Sequence, residues 1–483
     1  MKLGESIGQA WFWRLGLVTS VLCICSYFQI YHTVVINNLY PLAKPWLLFR
    51  YDNHTEKVEF LWSAMTSVTP FGKFLGILIS GACAEQFGRK HTLIFAILLL
   101  CVGGAVVGSC AVLHSFELVI LGRLLNGVSA GLNLNLVALM IIESAPRPYR
   151  GFFAASQQIF YGIGDLAGLV VTLPALLGTE KLWIWAMVLA CLPAPFLLPI
   201  VIFVPESPRH LYLKVGHKEK AEKAVLFYQG SEHLQETLED LSEELKHHED
   251  NQKVSYLDGS FLRPLLLAIL LKAGTQFTGI GIVMAYSTTI FTEAGFGHSS
   301  AIYATLGLGV VKFFSAFPLP TLMEKLGRRP LTLVGIAGCT LCNLCLVLTI
   351  YLLQNSPFKA ITEALILAFF LLFYTLYSGA GKPAVTELFP QKFRAHGLVI
   401  SGSFSWVTAA ILMAIFLPST HWLGLGATLL PYVVVSGLLT VYVWKWLPET
   451  RNRTFQEISN QHFQALKVGS RSNENCHFSR ISF

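Results

Sequence analysis

At 483 residues, 54% hydrophobic and only 13% charged, the chain is far more apolar than a soluble globular protein, in which about a quarter of residues carry charge. Lipid is the expected solvent, and the single long polar interruption leaves no room for a soluble enzyme domain. A formal net charge of +7 argues for sorting of basic residues to one side of a membrane and not for nucleic-acid binding.

Windows of about 20 apolar residues, enough helix to cross a hydrocarbon core, recur from end to end. The predicted spans are 11–40, 61–84, 92–114, 117–142, 152–177 and 182–204, followed by 261–292, 299–323, 331–354, 361–388, 396–418 and 423–447. The first stretch is much too long for a signal-peptide core and shows no small-residue cleavage site before Pro41, so it is expected to be a retained span. An even number of spans puts both termini on one side. The loop after the first span holds Asn53-His54-Thr55, an N-glycosylation sequon with Asn53 as acceptor. Asn452-Arg453-Thr454 also fits, but falls on the opposite side.

Loops after even spans carry Arg89 and Lys90, then Arg147 and Arg150, then Lys325, Arg328 and Arg329, then Lys392 and Arg394. Those after odd spans, the longer first loop aside, carry only Lys181 and Lys359. The positive-inside rule then predicts a multi-pass plasma-membrane protein with both termini and the 205–260 segment cytoplasmic. Within that segment Lys218–Tyr228 and the acidic Leu234–His247 pattern as short amphipathic helices beneath the bundle. The tail beyond Lys467 is polar and rich in Ser and Asn. Nine of the ten cysteines lie in or at the ends of spans and Cys476 in the tail, which points to apolar packing and away from disulfides or metal.

Charged motifs recur between the two sets of spans. Gly88-Arg89-Lys90 returns as Gly327-Arg328-Arg329, Glu143 with Pro146 and Arg150 returns as Glu387 with Pro390 and Arg394, and Pro205-Glu206 returns as Pro448-Glu449. The order is kept and the register nearly so, which marks a duplicated six-span unit. The expected organisation is an N-terminal half over 1–204, a cytoplasmic helical loop over 205–260, a C-terminal half over 261–447 and a tail over 448–483. Two parallel halves of this kind hold a solute near the midplane between them.

Val204-Pro205-Glu206-Ser207-Pro208-Arg209, Leu447-Pro448-Glu449-Thr450 with Arg453-Thr454-Phe455, and the run from Gly122-Arg123 through Gly127 and Gly131 to Glu143 and Arg150-Gly151 carry a family likeness. At these motifs the chain resembles the sugar porter family of the major facilitator superfamily, and within it the animal facilitative glucose transporters. The resemblance implies an all-α membrane protein of twelve transmembrane helices in two pseudo-symmetric six-helix halves. It implies a carrier without enzymatic activity, cofactor or metal, moving a hexose or related small polar solute through the lipid bilayer by alternating access and facilitated diffusion. Oligomeric state stays open. It further implies a cytoplasmic gate in which Glu143, Glu206, Glu387 and Glu449 pair with Arg89, Arg150, Arg328 and Arg394. Each exposed pair is worth about 0 to 1 kcal/mol, and a network of them can bias two states that differ by a few kcal/mol.

A neutral sugar needs amide and hydroxyl groups and an aromatic platform. By the resemblance, Gln158 stands where the family has its span-five glutamine and Gln276 keeps the second of its paired glutamines. Thr275 replaces the first, and Gly281 replaces an asparagine. Tyr286 retains an outer-gate aromatic and Trp406 the tryptophan of span eleven, whereas Lys382 falls where a span-ten tryptophan is expected and Lys312 where an asparagine touches sugar. Lys272 lies one turn before Gln276, Lys73 lies mid-span, and Asp165 lies two turns after Gln158 on the same stripe. A charge at mid-membrane costs about 2.5 to 3.5 kcal/mol even on a lenient scale. Three readings follow: Asp165 neutralises a lysine in a site that binds little, an organic anion balances the surplus, or a remodelled pocket still takes hexose. In Tyr31-His32-Thr33, His32 sits where proton-coupled relatives carry Asp and uniporters Asn, so it is either a titrating group of the cavity or a plain hydrogen-bonded histidine. A non-transporting nutrient sensor is the remaining alternative, disfavoured by a short tail without a recognisable interaction module.

Overall fold

The computed structural model describes residues 10–250, 259–315, 325–353, 359–377 and 394–449, together with 317–318, 322, 385 and 388–389. The apolar windows form helices because a helix satisfies every backbone N–H and C=O internally, as lipid requires. In the first half these are α1 (Ala10–Val34), a shorter α2 (Tyr40–Arg50), α3 (Thr55–Gln86), α4 (Arg89–Leu113), α5 (Phe116–Ser144), α6 (Arg150–Val171) and a broken pair, α7 (Trp183–Leu189) and α8 (Ala194–Phe203). The polar segment contributes α9 (Lys218–Gln229) and α10 (Leu234–Asp250). The second half contains α11 (Gly259–Gly274) and α12 (Ile280–Glu293), joined by a 3-10 turn over Thr275–Thr278, then α13 (His298–Ser315), α14 (Arg328–Leu353), α15 (Lys359–Tyr377), α16 (Arg394–Leu423) and α17 (Leu425–Trp446).

Several predicted boundaries move. The first span stops at Val34, not at 40, because Asn37 and Asn38 spend their side chains on other helices and Pro41 then starts α2. Span six breaks over 190–193, where Pro193 and Pro195 cannot donate to a continuing ladder. Span seven breaks at Gly279, whose φ of +90 is left-handed backbone that glycine tolerates. Span ten is described as helix over Lys359–Tyr377, and Lys382 and Glu387 lie outside the described residues.

Ten helical stretches among the described residues are long and apolar enough to cross a membrane. The two crossings that fall short are α6 and α13, and they pack against each other. In the first half, α3 and α5 meet backbone to backbone: Gly72 and Gly76 face Gly127 and Gly131, the paired small-residue spacing that lets membrane helices approach closely. Arg123 of α5 is buried and donates to the carbonyls of Met65 (3.1 Å) and His32 (2.9 Å), tying α5 to α3 and α1. The α9–α10 segment is fastened under this half, with Tyr228 donating to the Pro205 carbonyl (2.5 Å), Gln229 to that of Ser144 (3.1 Å), and Arg147 pairing with Asp240 (2.6 Å). This places residues 35–54 at one end of the bundle, here the Asn53 end, and the arginine-bearing loops at the other, the basic end.

Candidate solute site between the helical halves

At the Asn53 end the halves are joined by side chains. Asn37 donates to Ser287 Oγ (2.7 Å) and to the Met284 carbonyl (3.1 Å), and its Oδ1 accepts the Thr288 amide (2.9 Å). Asn38 donates to Thr172 Oγ1 (2.8 Å) and accepts from Thr288 Oγ1 (2.5 Å). Between those partners on α12, Tyr286 shares a 2.5 Å hydrogen bond with Thr66, donates to the Met413 carbonyl (3.4 Å) and packs on Phe416. All of these groups are buried, so water is excluded and each bond counts for more than at a wet surface. Tyr286 thus sits in the seal.

Below the seal lie the charged residues. Lys312 of α13 donates to Asp165 Oδ1 of α6 at 2.9 Å, with Met284 Sδ at 3.4 Å and the Tyr374 ring centroid at 5.8 Å from its ammonium. The two least apolar crossings therefore carry opposite charges and satisfy one another across the halves. Gln158 lies one turn from Gly162, where an added Cβ would meet the Phe313 ring 2.4 Å away, so the α6 stripe holding Gln158 and Asp165 faces α13. Gln158 is exposed, whereas its neighbour Gln157 is buried against Ser26 (3.0 Å) and Tyr161 (3.2 Å) within the first half.

On the opposite wall, Gln276 donates to Ser405 Oγ (2.9 Å), which donates to the Lys272 carbonyl (2.9 Å), as does Thr275 (2.9 Å). The Lys272 ammonium lies 3.9 Å from where a Cβ on Gly402 would stand, and among the described residues no atom of another helix comes as close to that point. Trp406 follows Gly402 by one turn, and the ammonium of Lys73, from the other half, lies 4.3 Å from its ring centroid while donating to Thr33 Oγ1 (2.8 Å). Such a cation over an indole is attractive by about 0.5 to 2 kcal/mol. His32 departs from its place in the expected cavity set. Its ring is buried with Nε2 3.7 Å from Cys191 Sγ, and Cys191 itself packs against Gly104 inside the first half. His32 is packed inside the first half, its ring buried between α1 and Cys191.

The basic end differs from the expected arginine–glutamate gate in three respects. Glu143, almost fully buried, pairs with Arg89 (2.8 Å) and accepts from Ser207, as a gate residue should. Glu206, however, accepts the backbone amides of Arg89 (3.0 Å) and Lys90 (3.0 Å), the first turn of α4. Glu449 does the same for Arg328 (3.0 Å) and Arg329 (3.1 Å) at the start of α14. These two glutamates cap helix N-termini, where unsatisfied amides and the helix dipole favour a carboxylate. Arg150 contacts no carboxylate among the described residues and donates instead to the Ala145 carbonyl (3.1 Å), closing the end of α5. Arg394 begins α16, and Glu387 lies outside the described residues. His210 touches Arg89 (2.7 Å), and burial followed by that guanidinium holds its pKa below the usual imidazole range.

Sequence reasoning missed Asn37, Asn38, Thr66, Thr288, Gly402 and Ser405. The Asn37-Asn38 doublet at the foot of an apolar run was the available signal, since paired amides at a span end must find partners.

The match to known proteins agrees with this architecture. The chain is 29% identical to the sheep (Ovis aries) solute carrier family 2, facilitated glucose transporter member 3, over 94% of this chain and 93% of that one. It is 31% identical to mouse (Mus musculus) member 7 over 92% and 89% respectively. Among solved structures, the inward-open xylose transporter XylE from E. coli superposes with a TM-score of 0.77 at 20% identity, covering 92% of this chain and 99% of that one. The proton:xylose symporter XylE bound to 6-bromo-6-deoxy-D-glucose gives 0.72 at 21% identity, with 92% and 98% coverage. The sequence model described as "Sugar (and other) transporter" matches residues 18–462, nearly the whole chain, and this multi-pass membrane protein belongs to that family.

Proposed function

We propose that this protein carries a hexose or a closely related small polar solute across the membrane by alternating access, as facilitated diffusion. The observation that carries the reading is the contrast between the two ends. Inter-half hydrogen bonds seal the Asn53 end, while the ion pairs and caps at the basic end, among the described residues, lie within one half or the other. A rocking motion that breaks the seal while closing the basic end exposes the residues between to each side in turn. The likeness to facilitated glucose transporters supports a sugar. His32, packed against Cys191, supports uniport over proton coupling. The ion pairs and caps within each half support a domain division at 204 and 261. The test is uptake of labelled D-glucose and D-fructose by the full chain in liposomes. Saturable uptake of at least one hexose, equal in direction to the imposed gradient, is expected; no saturable flux of any hexose overturns the reading.

The seal makes a second expectation. Asn38→Ala removes the one hydrogen bond that Asn38 makes across the halves, to Thr288, worth about 1 kcal/mol and enough to shift a two-state population by roughly fivefold. A single cysteine at Gln158 should then react about fivefold faster with an impermeant thiol reagent applied to the Asn53 face. An unchanged rate would mean that the seal is held elsewhere.

We further propose that the Asn53 end is extracellular at the plasma membrane and that both termini are cytoplasmic. Asn53 is exposed in the turn between α2 and α3, at a φ of +59 that asparagine tolerates. Expressed in animal cells, the protein should carry a glycan that a glycosidase removes and that Asn53→Gln abolishes. Antibody labelling of a tag at 230–250 on unpermeabilised cells would reverse the orientation.

A further inference from the structure

The charges between the halves do not balance. Lys73 and Arg123 are buried between the helices, Lys272 and Lys312 are half-buried, and Asp165 is the carboxylate paired with one of these basic groups among the described residues. Lys312 takes Asp165 at 2.9 Å. Arg123 donates through Nε and one terminal nitrogen to helix carbonyls within the first half, and Lys73 lies over Trp406 with its bond to Thr33. Lys272 is different: among the described residues its ammonium makes no hydrogen bond and no ion pair, and the gap left by Gly402 opens beside it. An ammonium withdrawn from water without a counter-charge is costly, and a neutral sugar does not remove that cost.

We propose that the site takes a carboxylate-bearing sugar, a uronic acid or related polyhydroxy acid, with the carboxylate beside Lys272 in the space at Gly402 and the ring against Trp406. The inference rests on the reading of this seam as a solute site and names the substrate class. The parts match the chemistry. Lys272 from the second half and Lys73 from the first approach the same face of α16 one turn apart, about 6 Å along the helix axis. A carboxylate there receives charge-assisted bonds, which are stronger than those between neutral groups. Trp406 offers an apolar face to the ring. Gln276, whose amide nitrogen is taken by Ser405 beside Trp406, keeps Oε1 for a ring hydroxyl, 3.6 Å from where a Cβ on Gly281 would stand. Because the two lysines come from opposite halves, the anion draws the halves together as it binds, and Lys312, already neutralised by Asp165, is not its anchor.

The test compares D-glucuronate with D-glucose, which share a ring and differ in the carboxylate. Binding to the purified full chain is read by tryptophan fluorescence, and uptake is measured after reconstitution in liposomes. Two variants remove the anion site by different means. Lys272→Gln deletes the charge, and Gly402→Asp sets a carboxylate beside the Lys272 ammonium. Each should lower the glucuronate-to-glucose ratio, in binding and in uptake, by about tenfold to a hundredfold, the range of one charge-assisted hydrogen bond. Glucose uptake without glucuronate binding or uptake overturns the inference and leaves the carrier reading standing. Glucuronate binding that both variants weaken, with no flux of either compound, upholds the inference and overturns transport. If the protein neither binds nor moves either compound, both fail, and a ratio that neither variant changes overturns the inference alone.

Discussion

Asp165→Asn should sharply lower the yield of folded protein, and Asp165→Asn combined with Lys312→Asn should recover most of it. The carboxylate is 5% exposed and its partner ammonium 24%, and both stand between helices that face lipid. Removing one member of a buried pair strands the other charge at a cost of about 3 to 5 kcal/mol, a large fraction of the stability of most proteins. The double variant replaces the pair by two amides that can hydrogen-bond each other, so the stranded charge disappears. Monodisperse yield and the thermal midpoint, read by size exclusion in detergent, give the comparison. A double variant no better than Asp165→Asn alone would show that Lys312 is not what holds Asp165 in place.

Gly76→Val is expected to be equally damaging, for a reason of shape. A Cβ at Gly76 would lie 2.2 Å from the Val128 carbonyl oxygen and 2.9 Å from the Gly131 Cα, and a Cβ at Gly131 would lie 2.3 Å from the Lys73 carbonyl oxygen. Backbone atoms cannot rotate away as a flexible side chain can, so α3 and α5 must separate. Overpacking of this kind costs about 1 to 3 kcal/mol and more where the backbone itself is blocked. Separation also moves Lys73, which sits between Gly72 and Gly76, off Trp406. Gly76→Val should therefore lower the thermal midpoint and, in any protein that survives, abolish uptake; a variant with normal midpoint and normal flux would mean that these helices are less tightly joined than their glycines imply.

Most of the helices were legible because lipid leaves a chain few options: a long apolar window must be helical, and basic loops must sort. The duplicated motifs likewise marked two halves before any coordinates. What the sequence did not reveal depends on contacts between distant residues. Glu206 and Glu449 read as gate acids because charge pairs with charge in a linear reading, whereas the amides that they cap become available only when α4 and α14 start beside them. Asp165 was recognised as needing a lysine, and its choice of Lys312 became visible only when α6 met α13. Lys272 was noted for its charge, and its open neighbourhood depends on a glycine more than a hundred residues away. His32, two residues from other polar groups, could not be assigned to the inside or outside of its half without the rotation of α1.

The Asp165–Lys312 pair also bears on how the chain is made. Membrane helices leave the translocon roughly in order of synthesis, and α6 and α13 are the two crossings too polar to qualify by length and composition. Their charges are separated by 147 residues, which at about 5 to 20 residues per second delays the lysine behind the aspartate by roughly 7 to 30 s. During that interval α6 must be retained by helices already made, and α1 is the one equipped to do so, through Ser26 on Gln157 and Cys23 beside Ser156. A nascent chain truncated before α13 therefore leaves Asp165 waiting in the bilayer, an exposed acidic residue that quality-control factors can read as the mark of an unfinished protein.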